Sequence, residues 1–157
     1  MILPRYHVAD SSIRGAGQGL FLDETVTAGR VITAPDGIDS TFRHAEIAAS
    51  PELSAQFHAS ARWFEDYYTL SPDWPDECYI NHSFTPNGLW HLGFVFALAE
   101  LPAGTEITVD YRHLLPPGQA EDFVDSVTGE TIRGLSWSES LASSTHALAR
   151  LLDATHS

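Results

Sequence analysis

The apolar residues of this chain come in short runs, each cut off by Gly, Pro or a charged residue, and this punctuation most limits what it can fold into. Gly19-Leu20-Phe21-Leu22 and Arg30-Val31-Ile32-Thr33 flank a polar stretch at 24–29 and read as strand, turn, strand. The run Leu92-Gly93-Phe94-Val95-Phe96-Ala97-Leu98-Ala99 predicts one buried strand and falls far short of the roughly 18–20 residues that span a bilayer. Glu106-Ile107-Thr108-Val109-Asp110-Tyr111 alternates as a half-exposed strand does. Two segments break the pattern. Leu53, Phe57, Ala61 and Phe64 recur at helical spacing behind Ser50-Pro51, a favourable cap and first position. Leu141, Ala142, Leu148, Ala149 and Leu152 predict a C-terminal helix over 138–152. The stretches at 67–78 and 116–118, both holding prolines, read as loops. Short strands with two helices added make a β-rich α+β domain.

A chain of 157 residues with 43% apolar and 11% aromatic content buries a core as one domain and is not disordered. Its 21 acidic residues face eight basic ones, for a net charge of -13. All eight are Arg, and no residue is Lys. Such a field repels nucleic acid and attracts a basic protein or peptide. One cysteine, Cys78, permits neither an internal disulfide nor a Cys-based zinc cluster. The histidines at 7, 44, 58, 82, 91, 113, 146 and 156 lack the i, i+4 pairing of a helical zinc site, so no metal is expected. Without a secretory apolar segment at its start, the chain is expected to be soluble and cytoplasmic, with no membrane contact.

Three segments could carry chemistry. Arg14-Gly15-Ala16-Gly17-Gln18-Gly19-Leu20-Phe21 places glycines at alternate positions, which suits either close approach of a ligand or a tight hairpin. A dinucleotide site needs a helix after its glycines, and here a strand follows. Tyr79-Ile80-Asn81-His82-Ser83-Phe84-Thr85-Pro86-Asn87 crowds polar side chains beside an apolar run, so they either wire a turn or receive a polar ligand. Glu100-Leu101-Pro102-Ala103-Gly104-Thr105-Glu106-Ile107-Thr108-Val109-Asp110-Tyr111 says only turn, strand and a terminal Tyr.

Taken in this order, the three segments resemble the SET-domain protein lysine methyltransferases over about residues 11–111. The resemblance implies a SET-type fold of several small β-sheets with a knot-like C-terminal threading and a C-terminal helix. It divides the chain into an N-terminal part (5–42), a variable insertion that shapes substrate choice (43–78), a C-terminal part (79–115) and a tail (116–157). The implied cofactor is S-adenosylmethionine, and the implied substrate a lysine-bearing basic protein or peptide. By that analogy Gly17, Gln18 and Gly19 hold the methionine portion, and Asn81 and His82 contact the amino group and adenine. The candidate to cover the adenine is Trp137, with helix–sheet packing as its alternative role; Tyr111 is the catalytic residue at the floor of a lysine channel lined by Tyr79, Trp90 and Val109. Many members carry Cys where Phe84 stands and a zinc module after the domain, and both are missing here.

Methyl transfer to an amine is an in-line displacement that needs alignment and an unprotonated nucleophile. Lysine, with a pKa of about 10.4, is almost wholly protonated at pH 7. Two unit charges about 4 Å apart repel by roughly 4 kcal/mol at an effective dielectric of 20, so a sulfonium helps expel that proton. Acids at 65, 66, 73, 76 and 77 form either a solvated loop or a rim that steers a basic segment toward the site. The alternative is a SET-fold module that binds a basic peptide without catalysis.

Overall fold

The computed structural model describes residues 1–155, so His156 lies outside the described residues. In chain order the strands are β1 (Tyr6–Asp10), β2 (Gln18–Leu22), β3 (Val31–Thr33), β4 (Thr41–Arg43), β5 (Ala61–Phe64), β6 (Tyr67–Thr69), β7 (Asn81–His82), β8 (Gly88–His91), β9 (Phe94–Ala97), β10 (Thr108–Val109), β11 (Ala120–Val124) and β12 (Thr131–Arg133). The helices are α1 (His44–Ala49), α2 (Pro51–Ser54) and α3 (Trp137–Thr155). They form the expected β-rich α+β arrangement of small sheets. β1–β2, β3–β9–β8, β4–β6–β5 and β11–β12 are antiparallel, whereas β7 and β10 pair in parallel.

The main core follows strand alternation. Leu20 and Leu22 of β2, Ile32, Val95, Ala97, Ile107 and Val109 are buried together. Phe21, between the two leucines, turns outward and stacks on His7 at 5.6 Å. The strands expected at 19–22 and 30–33 both form, yet each pairs elsewhere, β2 with β1 and β3 with β9.

Three local expectations are corrected. The helix over 53–64 is replaced by α2, a 3-10 turn at Phe57–Ala59 and strand β5. Ser50 does cap α2, accepting from the Leu53 N–H at 3.3 Å. Leu53 and Phe57 instead join a small second core with Ile47, Tyr68 and Leu70. Arg62 leaves the helical pattern because its backbone N–H bonds the Leu114 carbonyl at 2.9 Å. The stretch 67–78 holds β6 and a 3-10 turn at Asp76–Tyr79 within its loops. The run at 92–99 is not one strand: Leu92 and Gly93, with φ of 51° and 81°, make the two-residue turn between β8 and β9. The β11–β12 hairpin was not expected at all.

Two devices lock the chain around Tyr111. The buried guanidinium of Arg62 donates to the carbonyls of His113 (3.2 Å) and Leu135 (2.9 Å), tying the β4–β6–β5 sheet to the turn after Tyr111 and to the start of α3. Helix α3 presents Ser140 and Ser144, an i, i+4 pair, to His113 Nδ1 at 2.7 Å and His91 Nδ1 at 2.9 Å. Desolvation holds both histidines below their ordinary value; for His113 it outweighs Asp110, and Arg112, Arg62 and His91 push the same way. Groups depressed in the folded state contribute stability above about pH 6.5 that is lost as pH falls. The melting midpoint is therefore expected to drop between pH 7.5 and 5.5, by roughly 2–4 °C for each kcal/mol lost at this chain length. His113→Gln should flatten that slope in thermal scans.

Candidate active site

The parallel pair β7–β10 sets Asn81 opposite Thr108 and His82 opposite Val109, which brings two segments distant in sequence side by side. Beyond β10, Asp110 accepts from the Arg112 N–H at 3.0 Å and caps the 3-10 turn Tyr111–His113. It also grips the Arg112 guanidinium at 2.5 Å. That guanidinium lies 4.7 Å over the Phe84 ring, whose neighbour at 4.6 Å is the His82 ring. Tyr111 is held at both ends by 80–82: its N–H donates to His82 Nδ1 at 3.1 Å, and its hydroxyl donates to the Ile80 carbonyl at 2.7 Å. With its single proton used there, the phenol oxygen can only accept from the cavity. Desolvation, then Glu121 and Cys78 nearby, push its ionisation upward, so it stays protonated at neutral pH.

Behind Asn81 lies a buried carboxylate. Glu106 accepts from the Ser11 hydroxyl (2.5 Å), the Ser12 N–H (2.8 Å), the Ser12 hydroxyl and the Asn81 amide (3.0 Å). Desolvation pushes Glu106 up, but the bonds from Ser11, Ser12 and Asn81 outweigh it and hold the group below its usual range. The Asn81 amide nitrogen also donates to the Gln18 carbonyl at 2.9 Å. Its third neighbour, the Ser11 hydroxyl at 3.3 Å, accepts as well, which fixes the amide's orientation, and no described residue donates to Asn81 Oδ1. Gly19 must be glycine for this packing, because a Cβ there would meet Glu106 Oε1 at 2.3 Å. Gly17, with φ of 75°, turns the β1–β2 hairpin, and its carbonyl accepts from the Ser11 N–H at 2.8 Å.

A cavity of about 1220 Å³ opens over this arrangement. Gln18, Asn81, His82, Tyr79, Trp90, Val109 and Tyr111 all border it. Gly17 and Gly19 do not border it and shape the hairpin from behind. Trp137 does not border it either; it stands in the first turn of α3. The aromatic from the tail that does reach the cavity is Phe123, whose ring meets Tyr111 edge-on at 6.4 Å. Glu121, Phe123 and Val124 of β11 border that wall, and Asp125 and Ser126 follow just past the strand. The signal for them was the run of acids around an aromatic, Glu121-Asp122-Phe123-Val124-Asp125, behind Pro116-Pro117-Gly118.

Asp125 is buried, accepts from the Val127 and Thr128 N–H groups at 3.1 and 2.7 Å, and comes within 3.7 Å of His82 Nε2. Because His82 Nδ1 accepts from Tyr111, the neutral ring carries its proton on Nε2. That nitrogen is buried and has no hydrogen-bond partner among the described residues. Desolvation outweighs Asp110 and Asp125 and lowers His82, so the ring is neutral at pH 7. Of the acids at 65–77, Glu77 borders the cavity and Asp76 accepts from the Tyr6 hydroxyl at 2.6 Å. Among the described residues no three His, Cys, Asp or Glu side chains cluster as a metal site would require.

The glycine hairpin, the Asn81-His82 strand and the strand into Tyr111 thus converge on one cavity, and the family model described as the SET domain matches the same stretch, residues 17–112. The chain belongs to the SET-domain family, whose members are in general methyltransferases that use S-adenosylmethionine. No curated protein matches the chain. The match stops at 112, so β11, β12 and α3 lie outside it.

Proposed function

We propose that this protein transfers a methyl group from S-adenosylmethionine to the side-chain amine of lysine in a basic protein or peptide. The observation that carries this reading is Tyr111, fixed by the Ile80 carbonyl and His82 so that only its acceptor face meets the cavity. The residues present fit the cofactor. Asn81 Oδ1 has lone pairs for an ammonium, the unpartnered His82 Nε2–H suits a ring nitrogen, and the exposed Phe123 ring offers a flat apolar face. When bound, the cofactor supplies an electrophilic methyl on a sulfonium. The chain's own part is to align the acceptor amine with Tyr111 and keep the channel between Tyr79, Trp90 and Val109 dry.

Charge supports a basic substrate. Asp36, Glu77, Glu121 and Asp125 border the cavity against one guanidinium, Arg14. Asp36 and Glu77 close on the Met1 amine at 2.9 and 2.6 Å, and Asp125 accepts from the Val127 and Thr128 N–H groups, which leaves Glu121 as the carboxylate open to a cation. The test is calorimetry with S-adenosylmethionine and S-adenosylhomocysteine, followed by transfer of labelled methyl to a basic protein mixture. Micromolar affinity with label on lysine is expected, and that label comes from the substrate because the 157 residues include no Lys. Affinity for neither compound would leave a peptide-binding module instead.

A further inference from the structure

Glu121 has no part in the alignment described above, yet it borders the cavity beside Tyr111 and Phe123. Half-buried on β11, it receives no hydrogen bond or ion pair from any described residue. The cation on the paired strand, Arg133, donates to the Gly118 carbonyl at 2.5 Å instead. Glu121 also borders a second cavity, of about 190 Å³, which holds His58, Ser60 and Gln119. One carboxylate therefore stands in the wall between the methyl-transfer cavity and a smaller polar space. Asp125, just past β11, lies near His82, 3.7 Å from its Nε2. Glu121 shares the lining of the second cavity with Phe57, His58 and Ser60, of which His58 and Ser60 border the first cavity as well.

We propose that Glu121 accepts the proton of the incoming lysine ammonium and passes it to solvent through the second cavity. This rests on the methyltransferase reading. The Nζ–H bond breaks, its electron pair stays on nitrogen, and the proton forms an O–H bond on a Glu121 oxygen. The neutral amine would then be the nucleophile for the methyl that bound S-adenosylmethionine supplies, with the thioether as leaving group and the positive charge passing to the methylated nitrogen. Glu121 is reset when its proton leaves by way of His58, Ser60, Gln119 or water between them. Desolvation, and then Asp122 beside it, raise Glu121 above the ordinary carboxylate range, toward the pH at which a base works best. The other ionisable groups around it are Tyr111 and Cys78 on the cavity wall, both neutral at pH 7 and both raised by burial, and His58 from the insertion side.

Glu121→Gln and Glu121→Asp, with poly-L-lysine as acceptor, test the step. Glu121→Gln is expected to keep the wild-type affinity for S-adenosylhomocysteine and to lower kcat at pH 7.5 by at least about tenfold. Its rate should climb toward wild type near pH 10, where lysine loses its proton unaided, and Glu121→Asp should recover part of the loss. An unchanged kcat and pH profile in Glu121→Gln overturns the proposal, and so does a raised KM with the profile intact. A second readout does not need turnover. In carboxyl-labelled protein holding S-adenosylhomocysteine, the NMR titration step missing from Glu121→Gln should move to lower pH when n-butylammonium is added. A step that does not move sinks the role of Glu121. A moving step in a wild-type protein that methylates no lysine refutes the methyltransferase reading alone.

Discussion

Tyr111→Phe is expected to lower kcat for methyl transfer by about 10²–10³-fold, the range seen when one preorganised polar group is removed from a reacting centre. The affinity for S-adenosylmethionine should change by less than about threefold, because the ring and its contacts with His82 and Phe123 remain. The hydroxyl donates to Ile80 and is kept protonated by burial, so its oxygen offers lone pairs to the amine or to the polarised methyl. It is not a base. The variant should therefore lose rate evenly from pH 7 to 9, in contrast to Glu121→Gln, whose deficit shrinks as pH rises. Stopped assays of kcat over that range, with calorimetry of the cofactor complex, check both halves. Wild-type turnover in Tyr111→Phe would remove Tyr111 from the chemistry.

That contrast also explains what the sequence disclosed. The Asn81-His82 and Asp110-Tyr111 pairs were legible because both requirements are local in sequence: short strands, a cap, a phenol at a turn. Their parallel pairing follows from β7–β10 contact across 27 positions, which no periodicity announces. Ala61 and Phe64 continue a helical spacing, but the Leu114 carbonyl and the Tyr68 strand claim that backbone, so tertiary pairing overrides the pattern. Trp137 was the obvious aromatic after Tyr111, and α3 takes it for its first turn. Phe123 reaches the cavity because β11 folds back as a hairpin, and that hairpin lies beyond the segment that carries the family pattern.

Glu106→Ala should be the most damaging substitution for stability, by about 3–5 kcal/mol, because it leaves several buried donors facing a void. Ser11, Ser12 and Asn81 all converge on this one carboxylate, so its removal releases the β1–β2 hairpin from β7 and from β10 together. Cofactor affinity should fall with it, since Asn81 loses the charged one of the acceptors that orient its amide. Gly19→Ala attacks the same contact from the other side, by driving a methyl into Glu106 Oε1. Each substitution should lower the denaturant midpoint alone, and together they should cost less than their sum, because the clash vanishes once the carboxylate is gone. Acid provides an independent check. Glu106 is depressed in the folded state, so its contribution is present above about pH 4.3 and is lost as pH falls through its folded value. Glu106→Gln should show a shallower loss of stability below pH 4.3 than wild type. Strict additivity of the two substitutions, with an unchanged acid limb in Glu106→Gln, would mean that the hairpin is held by something other than this carboxylate.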